Sequence, residues 1–489
     1  MLFNSYEFIL VFLPIAFVGY YFFNSIKKYT IAKTYLLIMS LYFYSYFNKK
    51  YLIIILLSIL FNYIVSAIFS NVNWKEHTYS KKILLIIAIL CNLGSIFYFK
   101  YYDFFILNIN SILNTNFSLL HLVLPLGISF FTFQQISFIV DSYKEEINYN
   151  FIDYALFVTF FPQLIAGPIV THKEIMPQFS SLENKRINYD NLSRGLTAFT
   201  FGLSKKVIIA DFCGNIVNLG FDNLSALNMP SAILVVFSYT MQIYFDFSGY
   251  CDMATGIGYM FNIIMPINFN SPYKALTILD FWKRWHMTLT RFLTWYIYIP
   301  LGGNRKGVIR TCINVLIVYL VSGLWHGANW TFIFWGTLHG VACVVERLFK
   351  KKISNLHPAL SWIITFTFIN LTWIYFRSPS IGEANQLLKN IFSLDLGPIN
   401  EKLIALYNLS SIQIINKFLI PYLGVCITPL MFAIVFNIVL LISVLGFKNT
   451  NEKIIIFKPN IRTAIMIITL NIMSIISFSN VSTFLYFNF

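Results

Sequence analysis

The sequence predicts an all-α polytopic membrane protein, and three observations carry that reading. Hydrophobic residues make up 57% of the 489 and charged residues only 11%, with a mean hydropathy of +0.68, more apolar material than one soluble core can bury. The apolar residues fall in stretches long enough to cross a bilayer, separated by short runs that hold most of the lysines and arginines. Amides, carboxylates and histidines interrupt those stretches mainly over 125–339, and at membrane depth such groups must face protein or water.

Taken in order, stretches suited to spanning begin at Phe8, Tyr35, Tyr51, Ile83, Leu122, Ala155, Ala232, Val308, Phe332, Leu360, Met431 and Ala464, with weaker segments near Leu196 and Thr255. That amounts to roughly a dozen spans, plus segments that only half-enter the bilayer. The first stretch has no basic run before it and no small-residue cleavage site after it, so it is expected to stay as a span. The segments 188–224 and 380–417 are more polar and are expected to form loops or interfacial helices. We expect one membrane domain over 1–489: peripheral spans at 1–124, a core with a polar cavity and two key histidines at 125–347, and C-terminal spans at 348–489 ending in FLYFNF.

The formal charge of +15 is dispersed between apolar segments, which argues for inner loops and anionic lipid headgroups and against a nucleic-acid surface. Lys27, Lys28, Lys33, Lys75, Lys81 and Lys82 put the N-terminus outside, with Lys49 and Lys50 as a local exception, and Lys448, Lys453, Lys458 and Arg462 put their loop inside. The span from Ala464 then delivers the C-terminus to the outer face. The cysteines Cys91, Cys213, Cys251, Cys312, Cys343 and Cys426 lie far apart, and their spacing offers neither a disulfide framework nor a metal site.

His286 in DFWKRWHMTLTR and His326 in LWHGANW are the most informative residues. A neutral imidazole can take a proton from a hydroxyl, and apolar surroundings favour that neutral form. From His286 to Pro300 the chain can descend about 20 Å as helix, turn through PLGGNRKG and climb back a similar distance, so the two rings can meet at one depth. The competing reading is that each ring only joins helices. Asn329, three residues beyond His326, can orient that ring, whereas His339 is read as a helix-joining histidine.

Arg284 and Trp285 flank His286 in a segment that suits an interfacial helix, and Gly302, Gly303, Gly307, Arg305, Lys306 and Arg310 can offer amides and cations to phosphates. Asp246 and Asp252 in YFDFSGYCDMATGIG are six apart and do not share a helical face, so structural hydrogen bonding ranks ahead of catalysis, with Gly249 allowing close backbone approach. Gln134 and Gln135 either line a cavity or join helices. The tail FLYFNF is an interfacial anchor by composition, while Tyr486 offers a phenol that can carry an acyl group.

These residues resemble the membrane-bound O-acyltransferases, in particular the bacterial branch that acetylates alginate and peptidoglycan. PLGISFFTFQQISFIVDSY, FFPQLIAGPIV, DFSGYCDMATG, DFWKRWHMTLT, YIPLGGNRKG and LWHGANWTFIFWGTLHG carry the resemblance, which extends over nearly the whole chain. It implies a ring of helices around a thinned centre, with cytoplasmic and extracytoplasmic funnels. It further implies His326 as catalytic histidine, His286 as the second histidine, and Tyr486, in a motif similar to F-x-Y-x-x-F, as a transient acyl acceptor. Arg284, Trp285, Arg305 and Asn329 are the expected substrate-binding residues.

The expected function is movement of an acetyl group from cytoplasmic acetyl-CoA, a donor and not a tightly bound cofactor, through the bacterial inner membrane. The acetyl group would pass through Tyr486 to an extracytoplasmic SGNH-type partner that modifies a surface polysaccharide such as peptidoglycan. Two alternatives stand beside it: transfer of D-alanyl or another acyl group, and a non-catalytic translocator of a lipid or glycan.

Overall fold

A computed structural model describes residues 1–72, 74, 78–147, 149–408, 428–477 and 483–485, and contains no strand among them. Among the described residues, six helices are long and apolar enough to cross a bilayer: Glu7–Ser25, Lys49–Asn71, Thr78–Leu113, Gly307–His326, Pro358–Arg377 and Pro429–Gly446. Each coincides with an expected stretch.

The remaining expected spans are resolved differently, for physical reasons. Tyr29–Ser45 and Ile461–Ile476 are helices of 17 and 16 residues, a little short of a full crossing. The stretch from Leu122 is non-helical and turns at Leu126 and Gly127, so its helix begins only at Ile128. The stretch from Ala155 splits into Phe151–Thr159 and Phe161–Leu164, because Pro162 has no N–H and its ring cannot follow a continuous turn. The Phe157 carbonyl orphaned by that break accepts from both Gln134 Nε2 and Gln163 Nε2 at 2.8 Å. Gln135 is bonded to Asn62, Ser58 and Tyr154, so both glutamines of the QQ pair join helices.

The segment 188–224, expected as loops or interfacial helices, is helical and packed into the core. It forms an almost unbroken helical run, Tyr189–Ser204, Lys205–Ala210 and Asp211–Asp222, laid antiparallel against the 32-residue helix Met229–Met260. Two glycine pairs, seven residues apart on each helix, bring the backbones together: a methyl group on Gly195 would lie 2.6 Å from the Gly256 carbonyl oxygen, and one on Gly249 2.7 Å from that of Gly202. Charge also locks this pair. Lys206 Nζ lies 2.6 Å from Asp246 and 2.8 Å from Asp211, and Lys205 Nζ lies 2.6 Å from Asp252, whose carboxylate also accepts from Thr450. Asp246 and Asp252 are thus structural partners of two lysines, and Thr255 belongs to the same long helix.

Candidate active site

His286 lies at a break. The segment expected as one helix is two, Ile278–Arg284 and Met287–Leu293, and His286 between them takes φ +43°, a left-handed conformation that strains a residue with a Cβ. Residues 268–270 clamp the turn from alongside: Asn270 N donates to Arg284 O at 2.9 Å and Met287 N to Asn268 O at 3.0 Å. Asn268 Oδ1 in turn accepts from Thr288 Oγ1 at 2.7 Å. The imidazole is 1% exposed and meets Phe247 edge-on at 4.8 Å between centroids, Trp325 at 5.8 Å and Phe130 at 6.4 Å.

His326 is the last residue of the helix Gly307–His326 and is 3% exposed. Its ring lies 4.9 Å from that of Trp325, 5.2 Å from Trp335 and 5.0 Å from Phe376. The two histidines therefore flank one indole, Trp325. A small cavity of about 40 Å³, room for roughly one to three waters, is lined by His326, Trp325, Lys100, Ile165 and the wall 124–130. Gly127 lets that wall turn, with φ +70° and space so tight that a methyl group would sit 2.9 Å from the Leu164 carbonyl oxygen. Lys100 and Leu124 also line a vestibule of about 340 Å³ beside Gly327, Ala328 and Asn329. His286 stands one ring behind the cavity wall, against Phe130 and Trp325.

Several expected roles are corrected. Asn329 does not orient His326: its Oδ1 accepts from Thr331 N at 3.0 Å as the cap of helix Trp330–Leu348, and its Nδ2 donates to Pro379 O at 2.8 Å. It remains part of the vestibule wall. Arg284 is engaged by Asp280 through Nε at 3.0 Å, and Trp285 is packed at 1% exposure among Phe281, Phe269 and Trp373, so neither lines the cavity. Arg305 is exposed in a turn whose Gly302, Gly303 and Gly307 have positive φ and whose Gly303 carbonyl is held by Asn314 at 2.9 Å. That turn opens a 20-residue helix with His326 at its far end, about 30 Å away, so Arg305 stands apart from the two rings and any contact with a substrate would be at the substrate's other end. His339 joins helices, with Nδ1 accepting from Trp282 Nε1 at 3.2 Å and Nε2 at 3.0 Å from Thr372 Oγ1.

Tyr486 lies outside the described residues, but the three residues before it approach the site. Leu485 N donates to Asp246 Oδ2 at 2.9 Å and Lys206 Nζ to Thr483 O at 3.3 Å. Phe484 stacks on Tyr250 at 4.7 Å and tilts against Phe247 at 5.6 Å, the same Phe247 that meets His286. Ile165 is shared between the pocket around Phe484 and the cavity at His326.

Sequence reasoning missed Lys100 and the lysines 205 and 206. The only signal was a cation inside an otherwise apolar stretch, in YFKYYD and in LSKKVII.

The model of the membrane-bound O-acyltransferase family matches residues 145–378, which include both histidines. The chain is 46% identical to a peptidoglycan O-acetyltransferase of Helicobacter pylori over 426 residues, 81% of this chain and 80% of that protein. It is 36% identical to a probable alginate O-acetylase of Pseudomonas aeruginosa, covering 85% of this chain and 79% of the relative. A teichoic acid D-alanyltransferase of Bacillus subtilis is 28% identical over 51% of this chain and 67% of its own length.

Proposed function

The chain belongs to the membrane-bound O-acyltransferase family, and on that premise we propose that this multi-pass membrane enzyme carries an acetyl group from cytoplasmic acetyl-CoA to a cell-surface polysaccharide. It would act in the cytoplasmic membrane of a bacterium. The observation that carries the reading is the juxtaposition of His326 and His286 on one indole, with His326 lining a cavity that shares its wall with an open vestibule.

His326 acts as general base. Its imidazole takes the proton of an acceptor hydroxyl while the hydroxyl oxygen bonds to the thioester carbonyl carbon, and on collapse the C–S bond breaks and the thiolate leaves with that proton. His286, held behind the cavity by its left-handed turn, positions Trp325 and through it the His326 ring. The donor's charged phosphates stay on the cytoplasmic side, near the basic turn around Arg305, because burying them in hydrocarbon would be prohibitive. The first acceptor is Tyr486, next in the chain after Leu485, whose neighbour Phe484 is one ring removed from His286. A separate SGNH-type protein on the outer face then moves the acetyl group to peptidoglycan or a similar polymer. The relatives' acceptors, peptidoglycan and alginate, support a polysaccharide acceptor.

The test is peptide mass spectrometry after incubation of the purified protein with isotopically labelled acetyl-CoA, beside His326→Ala and Tyr486→Phe. Label on Tyr486 that disappears in both variants is the expected result. A protein that acetylates polymer without ever carrying label would sink the shuttle, and unimpaired His326→Ala would sink the base.

A further inference from the structure

Lys100 lies within the apolar span Thr78–Leu113, and among the described residues no carboxylate forms an ion pair with it. The nearest acid in sequence on the vestibule wall, Asp103, is spent on backbone, accepting from Leu120 N at 2.8 Å and His121 N at 2.9 Å. Lys100 instead donates to the Trp325 carbonyl at 2.6 Å and the His326 carbonyl at 3.2 Å, while Tyr101 donates to the Leu324 carbonyl at 2.6 Å. A helix ends with carbonyls that have no intrahelical donor. Consecutive residues of one π-helical turn, Phe97–Tyr101, therefore cap three consecutive carbonyls at the end of the helix that terminates in His326. Turns of that type are frequent at functional sites.

Capping alone does not need a cation. A neutral donor would satisfy the same carbonyls without the cost of holding charge among apolar residues. An ammonium has three N–H donors, and two are engaged by the backbone. The side chain also lines both the cavity at His326 and the vestibule outside it, sharing that position only with Leu124 among the described residues.

We propose that Lys100 is a catalytic residue of acyl transfer, donating its remaining N–H to the acyl oxygen as that oxygen becomes negative. The step rests on the acyl-transfer reading with His326 as base. The acceptor oxygen bonds to the carbonyl carbon, the carbonyl π pair moves onto the oxygen facing Lys100, and His326 takes the hydroxyl proton. When that pair returns, the C–S bond breaks and the thiolate leaves with the proton. Lys100 neither gains nor loses a proton. The two backbone bonds fix its ammonium before reaction, which is what makes such stabilisation effective in a water-poor site.

The experiment follows release of coenzyme A thiol by the purified full chain, comparing wild type, His326→Ala, Lys100→Gln, Lys100→Arg and Lys100→Gly, with thermal unfolding of each in detergent. The Gln amide can still cap the Trp325 carbonyl but carries no charge. We expect Lys100→Gln to lose about 10²–10³-fold in kcat with an unfolding midpoint near wild type. Lys100→Arg retains part of the rate, and added ethylamine partly restores Lys100→Gly. Wild-type kcat in Lys100→Gln, or a loss that tracks unfolded protein with no amine rescue, overturns the proposal while leaving the acyl-transfer reading intact. A wild type that releases no thiol, like His326→Ala, overturns the acetyl-CoA reading and this one with it.

Discussion

The neighbourhoods of His326 and His339, thirteen residues apart in one motif, are alike in burial and opposite in arrangement. Their exposures are 3% and 0%, and both are ringed by tryptophan and phenylalanine. His339 has both ring nitrogens engaged by side chains of two other helices, Trp282 and Thr372, and so it is a bracket. His326 lines a cavity that shares its wall with a vestibule, on a helix end held by Lys100. Burial therefore does not separate these two histidines. Access to a space where another molecule can stand does.

Removing each ring in turn breaks or sharpens that comparison. His326→Ala is expected to cost about 10²–10⁴-fold in kcat for acetyl transfer, the range for loss of a general base, with little change in unfolding midpoint. A modest loss would put His326 in the same class as His339. The next largest effect belongs to a cluster that does not line the cavity at His326: Asp246→Ala leaves Lys206 buried with one partner fewer, and is expected to destabilise by about 3–5 kcal/mol, read as a lowered unfolding midpoint in detergent. His339→Ala removes the partner of Trp282 Nε1 and should cost about 1–3 kcal/mol in stability, with kcat per folded molecule changed by less than about threefold. A kcat collapse in a stable His339→Ala protein would erase the distinction. Smallest is Asn329→Ala, which loses the cap on helix Trp330–Leu348, about 1 kcal/mol by thermal unfolding.

The tail offers a second contrast with the buried ion pairs. The cluster of Lys206, Asp211 and Asp246 stitches two core helices together, yet it also holds the backbone of Thr483 and Leu485. One set of charges thus serves packing and the placement of the chain beside His286. The Asp246→Ala measurement can separate the two uses if tail position is followed by cross-linking alongside stability.

Much of this was legible in the residues. Apolar runs bounded by lysines marked membrane helices, and the six helices fit for crossing all began where hydropathy placed them. The helical climb from the glycine-rich turn back to His326 followed from rise per residue alone, and the joining role of His339 was the reading its position thirteen residues further on favoured. Less legible was 188–224, whose polarity suggested loops or interfacial helices and not a packed core element. Its lysines find aspartates and its glycines find glycines on another helix, and no local pattern names the partner. Asn329 misled for a related reason, since proximity in sequence to His326 does not decide which way an amide at a helix start will turn.

By itself, then, the sequence determined the class of molecule and singled out two histidines: helices because the bilayer leaves backbone groups no other partners, and the histidines because a polar ring in an apolar run needs a reason. Only the tertiary structure decided that the rings share Trp325, that Lys100 closes the His326 helix, and that the residues before Tyr486 run past Asp246 towards His286. Those are contacts between segments up to hundreds of residues apart. They arise from packing between faces, which a one-dimensional pattern does not encode.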